Sequence, residues 1–118
     1  MTVSVKRAYL PPLPGDGRRV LVDRLWPRGL SKDKIQLTEW LKDVSPSDGL
    51  RRSVHEGSIT WSEFKRRYIE ELKDHDLDLQ RLAKYAKEGN LTLVFSAHDP
   101  EKNNAVVLRD YLKKLGIS

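Results

Sequence analysis

Arg19-Val20-Leu21-Val22-Asp23-Arg24-Leu25-Trp26-Pro27-Arg28-Gly29 is the stretch on which the fold turns. Its apolar run is too continuous for a strand with one wet face, so it predicts a central strand over 19–26, buried on both sides. Pro27 cannot donate to a ladder and Gly29 loosens the backbone, which ends the strand. Asp23 and Arg24 then point to opposite faces, and in a central strand each must find a polar partner.

Working outward, Val3, Val5, Arg7 and Tyr9 alternate with Ser4, Lys6 and Ala8, a strand pattern over 3–9 closed by the proline-rich loop Leu10–Pro14 and the turn residues Gly15-Asp16-Gly17. On the other side, Ser31 or Asp33 caps a predicted helix running to about Val44, with Ile35, Leu37, Trp40, Leu41 and Val44 on its buried face. Leu50 to His55 reads as one short helical turn. Thr60 and Glu63 form a capping box ahead of Trp61, Phe64, Tyr68 and Leu72 at helical spacing. Asp74-His75-Asp76 interrupts that pattern, and Leu79, Leu82, Ala83 and Ala86 resume it, with Gly89 placed as the left-handed residue past the end. Leu91 to Ala97 is a third buried strand, and Asp99-Pro100 opens a last helix striped by Ala105, Leu108, Leu112 and Leu115. Strands near 3–9, 19–26 and 91–97 alternating with helices predict an α/β fold, a single-domain sandwich over 1–118 with a small, mainly parallel sheet flanked by helices. The connection between the first two strands, about nine residues, is shorter than the dozen or so of a helical crossover, which leaves their relative direction open.

The 118 residues are 38% hydrophobic and 33% charged, the balance of one ordered domain, and no apolar run approaches the ~18 residues of a membrane span. The first twenty residues hold no apolar leader stretch, and there is no cysteine, so a cytoplasmic protein without disulfides is expected. Zero cysteines exclude thiolate nucleophiles, cysteine zinc sites and iron–sulfur clusters. His55, His75 and His98 lie too far apart for a ligand motif, no cofactor fingerprint is present, and neither metal nor cofactor is expected. Twenty-two Lys and Arg against seventeen Asp and Glu give a net charge of +5 and favour an anionic partner.

In an open parallel sheet, ligands sit outside the carboxyl ends of the strands, and two polar segments fall there. In the first, Arg24, Arg28 and the backbone at Gly29, with Arg7 nearby and Trp26 alongside, form a candidate anion cradle. The second, Ser96 to Asn104, adds Ser96, His98, Asn103 and Asn104 as candidate lining. Asp23 or Asp99 is the candidate base, should hydrolysis or group transfer occur. Each feature has a plainer reading. Asp99 before Pro100 is an ordinary helix cap, and Arg7, Asp23, Arg24 and Arg28 are equally suited to an ion-pair network pinning the sheet edge, with Arg7 the partner of Asp23. Trp40 and Trp61 read as core anchors. The favoured expectation is a site for a phosphate-bearing small molecule, a nucleotide among the candidates. Its rivals are a nucleic-acid-binding accessory protein using Arg18-Arg19, Arg51-Arg52 and Lys65-Arg66-Arg67, for which no recognition motif is present, and an interaction module without ligand.

Val5-Lys6-Arg7-Ala8-Tyr9 followed by prolines, the string from Arg19 to Leu30, Glu39-Trp40-Leu41-Lys42-Asp43, Trp61 to Tyr68 and Asn103 to Leu108 together resemble the YeaO-like branch of the DUF488 proteins across nearly the whole chain. The resemblance implies a small bacterial or archaeal α/β protein with no catalytic residue to carry over. Other branches of that family place cysteines and a His-Arg pair near the last strand-to-helix turn. This chain has Asp99, Asn103 and Asn104 there, so no thiol-dependent activity transfers. It also departs from the pattern at Leu10, where an acidic residue is expected after Tyr9, and at Gly49-Leu50-Arg51, where the pattern is less glycine-rich.

Overall fold

A computed structural model describes residues 2–117. Its centre is a four-stranded, wholly parallel sheet in the order β1-β4-β2-β3, built from β1 (Val3–Arg7), β2 (Arg18–Leu21), β3 (Glu39–Trp40) and β4 (Leu91–Phe95). The α/β sandwich expected from the sequence is therefore the fold, and β2 is an interior strand. β1 and β2 are parallel but not adjacent, because β4 lies between them.

A short crossover suffices because it carries its own anchor. After β1 the chain runs through the prolines into a 3-10 turn, Pro14–Asp16, which crosses one face of β4. Thr92 Oγ1 of β4 donates to the Asp16 carbonyl at 2.7 Å, while the Asp16 carboxylate takes Lys6 of β1 at 3.1 Å and Arg19 of β2 at 2.7 Å. One aspartate thus ties three strands together, and Arg19 is only 4% exposed. Gly17 ends the turn at φ +64°, where a Cβ would lie 2.2 Å from the Asn90 carbonyl oxygen, so no other residue fits without a shift of the backbone.

The helix expected over 31–44 is mostly absent. Ser31 does cap a helix, accepting from the Lys34 N–H, but α1 spans only Lys32–Ile35 before Gln36 turns left-handed at φ 50°. Arg19 stops it, its guanidinium taking the Ile35 carbonyl at 2.8 and 3.1 Å and the Gln36 carbonyl at 3.1 Å. The chain then straightens into β3, where the Thr38 N–H donates to the Arg19 carbonyl and the Leu41 N–H to the Leu21 carbonyl. Trp40 stands on this strand and not on a helix.

The remaining helices are α2 (Asp48–His55), α3 (Trp61–Leu72), α4 (Asp76–Glu88) and α5 (Asn104–Lys114). Thr60 caps α3 through the Glu63 N–H, as the capping box predicts. Gly89 is extended at φ 167°, not left-handed, and α5 begins five residues after Asp99, capped by Asn103. Phe64, Tyr68, Leu72, Leu82, Leu108 and Leu112 pack on one face of the sheet against Val20, Leu91, Leu93 and Phe95. The other face holds a smaller cluster, Ala8, Leu21, Ile35 and Val94, shielded by Trp26 and Trp40. That strict alternation is the period-two consequence of strands buried on both sides. No helix among the described residues is long and apolar enough to cross a membrane.

Candidate functional site

Because all four strands run the same way, Arg7, Asp23-Arg24 and Ser96 leave β1, β2 and β4 at one edge. There they meet the α2–α3 hairpin, which closes a cavity of about 850 Å³. The loop 23–28 forms one wall, the turn from Ser96 to Asn104 contributes another, and Arg51, Val54, Ile59, Trp61 and Phe64 supply the helical wall. Trp26 and Trp40 hold the first wall in place. Their rings meet edge to face at 5.4 Å, with the Trp26 indole N–H on the Leu30 carbonyl and the Trp40 indole N–H on the Asp23 carbonyl, both at 2.6 Å.

Asp23 lines the cavity as its single carboxylate. The Ser96 N–H and hydroxyl both donate to its Oδ2 at 2.8 Å, and the Asn104 amide donates to its Oδ1 at 3.1 Å while also reaching the Val22 carbonyl. Burial pushes the Asp23 carboxyl above its ordinary range, more than the bonds from Ser96 and Asn104 and the nearby Arg51 charge pull it down.

The guanidinium groups do not answer that charge. Arg7 is not the partner of Asp23. Its Nε donates to the Ala97 carbonyl at 2.9 Å, and its guanidinium lies 5.0 Å from the Tyr9 ring centre. Arg24 donates to the Pro46 carbonyl at 3.3 Å and sits 3.8 Å from Asp48, which also pairs with Arg51 at 3.4 Å. One exposed carboxylate therefore serves two guanidiniums, and the buried Nε of Arg51 has no partner. Arg28 is exposed, its backbone carbonyl held by the Tyr9 hydroxyl at 2.8 Å. Among the described residues no carboxylate lies within 4.0 Å of Arg7, Arg28 or Lys102, so the ion-pair network expected as the plainer reading does not form around Asp23.

Trp26, Ser96, His98, Asn103 and Asn104 all line the cavity beside Asp23, Arg7, Arg24 and Arg28. Asn103 is also the cap of α5, its Oδ1 accepting from the Val106 N–H at 2.9 Å. Two expected site residues are not part of the lining. Asp99 is exposed and turned back on its own loop, where the Lys102 and Glu101 N–H groups hold its carboxyl below the usual range. Gly29 lies outside it at φ +82°, with no atom within 4 Å of where a Cβ would stand, so conformation and not close approach requires glycine. A family model described as the inactive DUF488-N3 subclade matches residues 2–115. The chain belongs to the DUF488 family.

Within that family it is similar to the uncharacterized protein YeaO of Escherichia coli K12, 43% identical over 115 residues that cover 98% of this chain and 100% of the relative. It is also similar to the uncharacterized proteins Rv3073c of Mycobacterium tuberculosis H37Rv and Mb3100c of Mycobacterium bovis, each 40% identical over 110 residues, 93% of this chain and 92% of theirs. No solved structure matches. In this DUF488 chain no group of three or more His, Asp or Glu among the described residues is placed to hold a metal ion. The lining residues that sequence reasoning missed include the basic groups Arg51 and Lys102 and the apolar residues Val54, Ile59, Trp61 and Phe64. Lys102 stood in a segment already marked as polar. Arg51 stood out only as part of the basic pair Arg51-Arg52, because nothing in an isolated helical turn says which strand ends it will cover. Trp61, expected in the core, is half-buried at the cavity wall, stacked on Phe64 at 4.7 Å.

Proposed function

We propose that this domain binds a phosphate-bearing small molecule in the cavity at the carboxyl edge of the sheet, without turning it over. One observation carries the reading. Five basic side chains, Arg7, Arg24, Arg28, Arg51 and Lys102, line the cavity with Asp23 as the one carboxylate of the lining and Asp48, shared by Arg24 and Arg51, beside it, so positive charge is in surplus. A guanidinium fork matches phosphate oxygens in pairs, and an anion would answer charges that the protein leaves unmatched. The family description as inactive supports binding without chemistry. A hydrolytic or transfer reaction would have Asp23 as its base, since Asp99 is committed to its own turn.

Binding to nucleic acid has less support, because two of its basic clusters are largely answered by neighbouring carboxylates and Arg51 of the third turns into the cavity lining. Arg66 and Arg67 both pair with Glu63, at 2.6 and 2.9 Å, and Arg18 pairs with Glu88. Calorimetric titration with inorganic pyrophosphate at physiological salt tests the pocket. Saturable one-to-one binding with a rise in melting temperature is expected. An absence of both heat and thermal shift overturns the reading.

A further inference from the structure

A cavity that takes an anion has no electrostatic use for a carboxylate in its lining, yet half-buried Asp23 stands there with no cation within 4.0 Å. An ionised carboxylate offers about four acceptor sites. Ser96 fills two of them on Oδ2 and Asn104 one on Oδ1, which leaves one acceptor position on Oδ1 without a protein donor in a side chain that lines the cavity. The volume of about 850 Å³ falls in the range of roughly 300–1,000 Å³ that holds a drug-sized molecule, far beyond a phosphate group alone. Its lining includes two aromatic residues, Trp61 of α3 and Trp26 of the loop 23–28.

We infer that Asp23 is a specificity-determining residue which accepts a hydrogen bond from an N–H on the body of the ligand, so that the ligand is a phosphate ester of a flat nitrogen heterocycle, of the nucleotide class. This rests on the phosphate reading and adds to it. The arginines hold the phosphate, the aromatic rings flank the heterocycle, and the Asp23 carboxylate selects bodies that donate over bodies that do not. A ligand lacking the donor would leave the carboxylate desolvated and unanswered, which gives the selection its sign.

The test compares inorganic pyrophosphate, ribose 5-phosphate and the four common ribonucleoside 5′-monophosphates as titrants of the wild-type chain and of Asp23→Asn. In the variant the Asn carbonyl is retained by the Ser96 N–H, and an NH₂ faces Asn104 and the cavity where an acceptor stood. At least one nucleotide is expected to bind about tenfold or more tighter than ribose 5-phosphate, and to lose that advantage in Asp23→Asn, whereas pyrophosphate, relieved of a nearby negative charge, is expected to bind the variant at least as tightly as the wild type. Replacing every hydrogen on the donor nitrogen of the preferred nucleotide by methyl, one for a ring N–H and two for an amino group, is expected to cost the wild type the same factor, a measurement that does not depend on the variant folding. Pyrophosphate binding with no nucleotide preference, or a preference that survives both Asp23→Asn and methylation, overturns this inference alone. Absence of pyrophosphate binding overturns the underlying reading with it.

Discussion

The Ser96 N–H and Oγ both donate to one oxygen of the Asp23 carboxylate at 2.8 Å, so the turn that leaves β4 is fastened to the turn that leaves β2. Two neighbouring parallel strands are thereby locked at the edge where the cavity opens. The clasp is electrically expensive, since Asp23 is partly withdrawn from water and not matched by a cation.

That expense fixes a pH dependence. The folded chain holds the Asp23 proton more tightly than the unfolded chain, whose aspartates titrate near 3.8. As pH rises through 3.8 the unfolded state ionises first, so the contribution of Asp23 to stability declines until its folded pKa is passed and stays reduced above it. Urea denaturation of wild type and Asp23→Asn across pH 3 to 7 is expected to show the wild type's advantage over the variant shrinking as pH rises. A constant difference would mean that burial does not govern this carboxyl.

Asp16 is expected to behave in the opposite sense. Burial alone would raise its carboxyl, but the Leu13 N–H, Lys6 and Arg19 outweigh it and hold the group below 3.8. The stability it contributes is full above 3.8 and is lost as pH falls through the lower folded value. Asp16→Ala removes the partner of a guanidinium that is nearly inaccessible to solvent, and a loss of about 3 kcal/mol at pH 7 is expected from chemical denaturation. A loss below about 1 kcal/mol would show that the Ile35 and Gln36 carbonyls suffice for Arg19.

These two aspartates also mark what the sequence could and could not disclose. The β2 strand was legible in the short apolar run Val20-Leu21-Val22, although it ends at Leu21 and Asp23 to Trp26, expected as its continuation, form a loop. A mainly parallel sheet was expected from the alternation of strands and helices, with the direction of β1 against β2 left open. The cluster at Arg7, Asp23, Arg24 and Ser96 was legible because a parallel sheet gathers its carboxyl ends. By contrast, β3 was hidden. Leu37, Trp40, Leu41 and Val44 are spaced as a helix face would be, and what makes them a strand is a ladder to Arg19 and Leu21 together with a guanidinium that ends α1. Such interactions join residues nearly twenty positions apart, and local spacing carries no trace of them. The pairing of Asp16 with Arg19 was equally hidden, because a turn residue's charge shows nothing of the strand face it will cross.

Gly17→Ala tests the crossover itself. The substitution adds a Cβ 2.2 Å from the Asn90 carbonyl oxygen and forces an alanine to φ +64°, and a loss of at least about 2 kcal/mol is expected. Gly15→Ala, in the same turn with nothing within 4 Å of its Cβ, is expected to stay within about 0.5 kcal/mol of wild type. Equal effects on melting temperature would show that the tight approach to Asn90 is not what holds β2 in register.

Arg28→Lys separates binding from folding. Arg28 is exposed, pairs with no carboxylate among the described residues, and is fixed to the fold through its backbone carbonyl on Tyr9, which the substitution leaves intact. Stability should therefore remain within about 0.5 kcal/mol of wild type. Lysine keeps the charge but loses the planar fork that grips two phosphate oxygens at once, so pyrophosphate affinity is expected to fall about tenfold by calorimetry. Unchanged affinity would remove Arg28 from the anion site. A matching fall in melting temperature would return it to the structural role that its exposure and lack of ion pairs argue against, and Arg7 and Arg51 would then have to hold the phosphate between them.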